Sequence, residues 1–237
     1  MRRVDGIRAV TYDCWGTLLQ DRDWKGAMTN RVGALRRFLD ISEDEARDLI
    51  DEAWAKHDEA WKQVETFGPG RMAAYCLENR GIFDDEPIAE LTKEFEEATM
   101  AHGIDAVEGA QETLQRLEDA GIRRGLICDT GLTPGRVVRE MLDEVGLLKY
   151  LPVTCFSDEV GVPKPANEIF EKALAELGVR PPEAIHIGDL RRTDIAGAHD
   201  VGMHAIRFNG VHDDTSDTAE AKIVISRHME VLEVLGL

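Results

Sequence analysis

The chain has 237 residues and a formal net charge of −18, with 46 acidic residues against 28 lysines and arginines. This length allows one large domain with a smaller one attached. The acidic balance argues against nucleic acid or an anionic membrane as a partner, because no basic cluster offsets phosphate repulsion. No apolar run approaches the ~20 residues of a membrane-spanning helix, and no secretory segment is evident. We expect a cytoplasmic monomer or homodimer whose partner is a small molecule.

The first β-prone run covers residues 7–12 and ends at Asp13, with a turn-favouring Gly16 three residues later. From residue 24 to residue 101 the apolar spacing becomes helical and predicts four helices without a strand. Ser42 followed by Glu45 is a capping box and marks the clearest helix start. These helices separate the first strand from the rest of the chain and read as an insertion.

After Gly109 short apolar strands alternate with helices of about ten residues. This alternation predicts βαβ units and an α/β fold with a doubly wound parallel sheet that is covered on both faces. The predicted strands cover 124–128, 153–156, 184–187, 204–208 and 222–225. The predicted helices cover 110–120, 134–145, 167–178 and 192–201, and a terminal helix follows the last strand.

The four cysteines, Cys14, Cys76, Cys128 and Cys155, have no CxxC spacing. Two of them lie in or beside apolar, strand-like runs. We therefore interpret them as free, buried thiols of a reducing compartment rather than as disulfides or zinc ligands.

Charged side chains follow the predicted strands at the points where the strands end. Asp13 follows the first strand, and Asp129 follows the second. Lys164 lies in the loop after the third strand, whereas Asp189 and Asp194 follow the fourth. A single strand-end aspartate can be a helix cap or a turn residue. Because ligands of doubly wound sheets bind at the carboxyl ends of the strands, four such ends together predict a functional site.

Four short motifs occur in order along the chain. They are YDCWGTL at 12–18, LICDTG at 126–131, VPKP at 162–165, and IGD at 187–189 with Asp194 five residues after Asp189. Their order and spacing, over nearly the whole chain, resemble the haloacid dehalogenase (HAD)-like hydrolase superfamily. The resemblance implies a HAD-like Rossmannoid catalytic core over 1–19 and 106–237 and a smaller all-helical cap domain over 20–105.

The resemblance also implies two catalytic residues. Asp13 would be the nucleophile that forms a covalent aspartyl intermediate, which replaces one difficult substitution with two easier ones. Lys164 would hold Asp13 and the transferring group by its charge.

The predicted site carries an excess of negative charge that favours a metal ion. Asp13, Asp189 and Asp194 face only Lys164, so the cluster needs a cation near neutral pH, and hard oxygen ligands favour Mg²⁺. The resemblance adds the backbone carbonyl of Trp15 as a ligand. For Asp194, a role as helix N-cap stays an alternative.

The substrate-binding residues that the resemblance implies lie in the first two motifs. Thr17 belongs to the first. In the second, Cys128 occupies the place where a hydroxyl is usual, Asp129 follows, and Thr130 carries the hydroxyl one residue later. The donor is open between Cys128 and Thr130, although a thiol is the weaker donor.

Trp15 departs from the pattern of phosphatases in the superfamily, which carry an aspartate there as general acid and base. An indole cannot exchange protons at this pH, and such a group commonly contributes ~10²–10⁴ in rate. The leading hypothesis is still Mg²⁺-dependent hydrolysis of a small phosphorylated metabolite, because Asp189 is present. The alternatives are a metal-independent 2-haloacid dehalogenase, whose branch has an aromatic residue at this position, and a non-catalytic binding or regulatory protein.

Overall fold

The computed structural model describes residues 3–237, and their main sheet has six parallel strands. These strands are β1 (Ala9–Tyr12), β4 (Arg123–Cys128), β5 (Val153–Phe156), β6 (Ala184–Gly188), β7 (His204–Phe208) and β8 (Val224–Ile225). Two further short strands, β2 (Leu19–Asp21) and β3 (Ile104–Ala106), form a two-stranded sheet of their own.

The order of the six strands is β5-β4-β1-β6-β7-β8, which confirms the predicted doubly wound α/β fold. The chain adds β4 and β5 on one side of β1 and then returns to add β6, β7 and β8 on the other. In the register of the sheet Tyr12 lies between Leu126 and Ile187. The end of β1 is therefore at the point where the strand order reverses, which is where such sheets bind ligands.

The predicted helices are present, with small differences at their ends. The first four are α1 (Trp24–Leu39), α2 (Glu43–Lys62), α3 (Pro69–Glu78) and α4 (Asp85–Glu97). The others are α5 (Ala110–Asp119), α6 (Gly135–Glu144), α8 (Asn167–Leu177), α9 (Ala196–Asp200) and α10 (Glu230–Leu235). The sequence did not predict the four-residue helix α7 (Ser157–Val160). The predicted helix 192–201 begins instead as a π-helical turn, Arg191–Ile195, before α9.

The capping box at the start of α2 is confirmed. Ser42 Oγ accepts a hydrogen bond from Glu45 N at 3.2 Å, and Glu45 accepts one from Ser42 N at 3.1 Å. Two of the four backbone N–H groups that a helix start leaves without helical partners are involved, so the sequence signal marks the boundary correctly.

The described chain divides into two compact units. One comprises the residues up to Gln20 together with 105–129 and 142–237, and the other comprises 21–104 together with 130–141. Residues 130–141, which the sequence assigned to the core, thus group with the helical unit. Leu132 packs in its apolar core, and Arg136 forms an ion pair with Glu96. The functional division into a catalytic core and a cap domain stays a prediction.

The sheet unit buries its strands on both faces. All residues of β1 and β6 are buried, as expected for parallel strands covered by helices. In α8, Ile169, Phe170 and Ala173 are fully buried in the apolar core. The four cysteines are free and buried, as predicted. Each helix among residues 3–237 is too short or too polar to cross a membrane.

We predict that Ile169→Ala lowers the free energy of unfolding by about 2–5 kcal/mol, because it leaves a cavity in a core that cannot fully collapse. Urea denaturation followed by circular dichroism measures this change. Glu171→Ala is the matched control, since Glu171 is exposed on the same helix. A loss for Ile169→Ala no larger than that of the control would contradict the placement of α8 against the core.

Candidate active site

Asp13 extends the register of β1 by one residue. Its backbone N donates to Ile187 O at 2.8 Å, and its side chain is buried with 7% of the residue exposed. The chain then turns tightly, because the backbone N atoms of Leu18 and Leu19 both donate to Cys14 O. This turn holds the first motif in place at the carboxyl end of the central strand.

Gly16 lets the first motif approach the fourth. Its φ of 74° is in the left-handed region, which favours glycine. A Cβ atom at this position would lie 2.8 Å from Asp189 Oδ2, well inside normal contact distance. Asp189 therefore occupies space that a larger residue at position 16 would need.

Lys164 is a buried cation that joins three parts of the site. Its Nζ donates to Asp13 Oδ1 at 2.5 Å, to Asp194 Oδ1 at 2.7 Å and to Ile127 O at 3.0 Å. Burial alone would lower the pKa of Lys164, but Asp13 and Asp194 raise it well above its usual value. The three donors of the ammonium group are all used, so Lys164 is a fixed positive charge.

Asp194 lies at the helix start and also pairs with Lys164, while its role as a metal ligand stays a prediction. Its Oδ1 accepts from Lys164, and its Oδ2 accepts from Leu190 N at 3.0 Å, which closes the start of the π-helical turn. Burial would raise the pKa of Asp194, yet Lys164 and His186 hold it below its usual value. Gly188 makes room, since a Cβ there would lie 2.2 Å from Asp194 Cγ.

Asp13, Asp189 and Asp194 form a cluster that fits a divalent cation. One oxygen from each lies within 4.8 Å of the others, and all three residues are buried. Burial raises the pKa of Asp13 to about 7 and, with repulsion from Asp13 and Asp194, that of Asp189 to about 8. These hard oxygen donors are of the type that Mg²⁺ prefers, and they lie close enough together to bind one ion.

Two of the predicted substrate-binding residues, Cys128 and Asp129, lie at the end of β4, the strand that pairs with β1. Asp129 Oδ1 accepts from Lys164 N at 2.8 Å. Cys128 Sγ lies beside Cys14, which together with burial raises the pKa of Cys128, and donates to Asp129 O at 3.3 Å. Contact of these residues with a substrate stays a prediction.

Three other residues complete the predicted set. Thr17 is fully buried, and its backbone oxygen accepts from His228 Nε2 at 2.8 Å. Trp15 is half-buried in the turn after β1, and Thr130 is partly exposed directly after Asp129. Their assigned roles also stay predictions.

The sequence motifs do not include His186, whose ring lies between Asp194 and Thr11. His186 Nε2 is 3.1 Å from Asp194 Oδ1, and His186 Nδ1 is 2.9 Å from Thr11 Oγ1. The available signal was a histidine inside an otherwise apolar, buried strand, two residues before Gly188.

The haloacid dehalogenase-like hydrolase family model matches residues 7–202, which include all four motifs. The chain belongs to this family. It is 29% identical over 238 residues to glyceraldehyde 3-phosphate phosphatase of Methanopyrus kandleri, and the match covers 97% of each chain. Other curated relatives match over about half of their length.

Two solved structures of the family share the fold. The HAD phosphatase of Thermococcus onnurineus has a TM-score of 0.69 and 25% identity, with 97% of this chain and 98% of that one covered. The 2-haloacid dehalogenase of Pseudomonas syringae has a TM-score of 0.71 at 23% identity and the same coverage, a likeness of fold alone. The family assignment confirms a hydrolase fold. It does not identify the substrate class, which has to be inferred from the residues of the site.

We predict that Asp189→Asn stabilises the metal-free protein at pH 8 and weakens Mg²⁺ binding at least tenfold. The raised pKa means that the folded state binds a proton that the unfolded state has lost, so stability falls as pH rises from about 4 towards 8. The amide removes this penalty but also a ligand of the ion. Thermal melts with EDTA and with Mg²⁺ titration measure both effects.

The matched control is Asp217→Asn, because Asp217 is exposed and far along the chain from the cluster. This variant should melt and bind Mg²⁺ like the wild type. Unchanged Mg²⁺ affinity in Asp189→Asn would remove Asp189 from the predicted ligand set.

Proposed function

We propose that the protein is a cytoplasmic, Mg²⁺-dependent hydrolase of small phosphorylated metabolites. The observation that carries this proposal is the buried cluster of Asp13, Asp189 and Asp194 around a single lysine. Such an excess of buried negative charge is costly in free energy unless a bound cation balances it. Membership in the hydrolase family supports the reaction class.

The reaction would proceed in two displacements at phosphorus. A carboxylate oxygen of Asp13 forms a bond to phosphorus while the bond to the alkoxide oxygen breaks, which leaves a phosphoaspartyl group. Water then attacks this phosphorus, releases inorganic phosphate and restores the carboxylate. Lys164, with its ammonium group fixed on Asp13 Oδ1, would hold the nucleophile in position throughout.

The ion would be held chiefly by Asp13 and Asp189, together with the backbone carbonyl of Trp15. Asp194 is the weaker candidate, because its Oδ1 already accepts from Lys164 and His186 and its Oδ2 accepts from Leu190. When bound, Mg²⁺ supplies positive charge that stabilises the phosphoryl oxygens in the transition state.

The substrate we propose is small and phosphorylated, and glyceraldehyde 3-phosphate is the first compound to test. The Methanopyrus kandleri relative, which matches the full length of this chain, bears the name of that substrate. Because Trp15 cannot protonate a leaving alkoxide, we propose that turnover is fastest on esters whose leaving group needs little protonation.

The test is a panel of phosphate esters that includes glyceraldehyde 3-phosphate and p-nitrophenyl phosphate, assayed for phosphate with Mg²⁺ and with EDTA. Release that EDTA abolishes supports the proposal. The second candidate is hydrolytic dehalogenation, which Trp15 favours, so 2-chloropropionate belongs in the same panel. Halide release that resists EDTA would replace the proposal with this alternative.

We predict that Asp13→Asn lowers kcat on the best ester by at least about 10³-fold, because the amide keeps the shape but cannot form the intermediate. Circular dichroism should show an unchanged fold. Asp5→Asn is the control, since Asp5 is exposed before β1, and it should retain full turnover. Substantial activity in Asp13→Asn would exclude Asp13 as the nucleophile.

We also predict that Trp15→Asp raises the rate on alkyl phosphates by restoring part of the ~10²–10⁴ that a general acid contributes. Activated aryl esters, which leave without protonation, should gain little. Trp15→Asn is the matched control, since asparagine has about the same size as aspartate but no acidic group. Equal rates for the two variants on alkyl phosphates would show that the missing acid does not limit turnover.

A further inference from the structure

We propose that His186 is a positioning residue that holds Asp194, so that Asp194 and Asp13 share the ammonium group of Lys164. The proposal concerns the same site as the proposed function and rests on it for the effect on turnover. The contacts themselves are independent of the substrate.

His186 is fully buried in the middle of β6, next to Thr11 of β1 in the register of the sheet. Its Nδ1 is 2.9 Å from Thr11 Oγ1, and its Nε2 is 3.1 Å from Asp194 Oδ1. The ring of Phe170 packs on it edge-on, with 5.2 Å between the ring centroids and 85° between the planes. Both ring nitrogens thus have polar partners, and the ring cannot rotate without losing them.

The direction of these hydrogen bonds follows from the partners. An ionised carboxylate only accepts hydrogen bonds, so the nitrogen that faces Asp194 must carry a proton in either charge state of His186. In the neutral ring Nδ1 then has a lone pair and accepts from the hydroxyl of Thr11.

The hydrogen bond from His186 affects how Asp194 and Asp13 share the ammonium group of Lys164. Asp194 Oδ1 accepts from Lys164 at 2.7 Å and also from His186, whereas Asp13 Oδ1 is 2.5 Å from Lys164. A second donor on Asp194 Oδ1 neutralises part of the charge on that oxygen and so weakens its attraction for Lys164. Without His186, Asp194 would draw the ammonium group away from the nucleophile.

Two variants separate this role from simple core packing. His186→Phe keeps a ring of similar size against Phe170 but has no donor. His186→Gln keeps an N–H at a similar distance from the backbone but has no ring. The control is His204→Phe, a histidine of the neighbouring strand β7 that is exposed to solvent.

We expect His186→Phe to lower kcat by about 10- to 100-fold, the loss that a hydrogen bond to a charged group corresponds to. KM and the Mg²⁺ affinity from calorimetry should change less than about threefold, because His186 contacts neither Asp13 nor Asp189. His186→Gln should recover most of kcat. Equal kcat values for the two variants, or a wild-type value for His186→Phe, would overturn the proposal.

A spectroscopic measurement tests the contact between His186 and Asp194 without an activity assay. Long-range ¹H–¹⁵N correlation NMR of the Mg²⁺-saturated protein should show the His186 ring protonated at Nε2, and His186→Gln identifies its signals. A ring protonated only at Nδ1 would overturn the proposal, because it could not donate to Asp194. If the wild type released no phosphate from any ester, the proposed function would fail, while the tautomer would still confirm or exclude the contact with Asp194.

Discussion

A single buried ammonium group organises the site of this protein. Lys164 lies 151 residues from Asp13 and 30 residues from Asp194, yet its Nζ is within hydrogen-bond distance of both. A buried charge is tolerated only when it is paired and its donors are satisfied. Three segments must therefore come together in the folded chain. They are the loop that carries Lys164, the end of β1 and the turn after β6.

Two glycines make this meeting sterically possible. At Gly188 a Cβ atom would overlap Asp194, and at Gly16 it would press on Asp189. The absence of these side chains lets carboxylates approach the backbone of neighbouring motifs. The motifs of the family are therefore parts of one packed arrangement, and each depends on the others for space as well as for charge.

The charge balance of the cluster connects this packing to chemistry. Three buried carboxylates face one lysine, and burial raises the pKa of both Asp13 and Asp189 well above that of an exposed aspartate. A cation that binds there would lower those pKa values and keep the nucleophile ionised near neutral pH. The same argument disfavours a metal-free reaction on a carboxylate substrate, which would add a further negative charge to the site.

Trp15 bears on one of the two requirements of phosphate-ester hydrolysis, namely protonation of the leaving group, and not on attack at phosphorus. The groups that would bind and attack a phosphoryl group are in place, whereas the position that would supply a proton carries an indole. Binding and nucleophilic attack depend on charge and geometry, but protonation of a leaving group depends on a titratable side chain at one position. The proposed choice of substrates by leaving-group acidity rests on this single residue.

The sequence by itself determined the α/β class, the order of helices and strands after Gly109, and the identity of the strand-end residues. These features are local, because periodicity, capping residues and buried apolar runs lie within a few positions of one another. The ends of the apolar runs also place Asp13, Asp129 and Asp189 at strand ends without any knowledge of tertiary contacts. Strands as short as β2 and β3, at three residues each, give no periodic signal and were missed.

Only the tertiary structure decided which of these residues touch. It showed that Asp194 both closes the turn after β6 and binds Lys164, and that Asp129 accepts from the backbone of Lys164. It also placed Thr11 beside His186, 175 residues away. Contacts of this kind depend on strand order, register and the satisfaction of buried polar groups, which are properties of the assembled sheet and not of any segment of the chain.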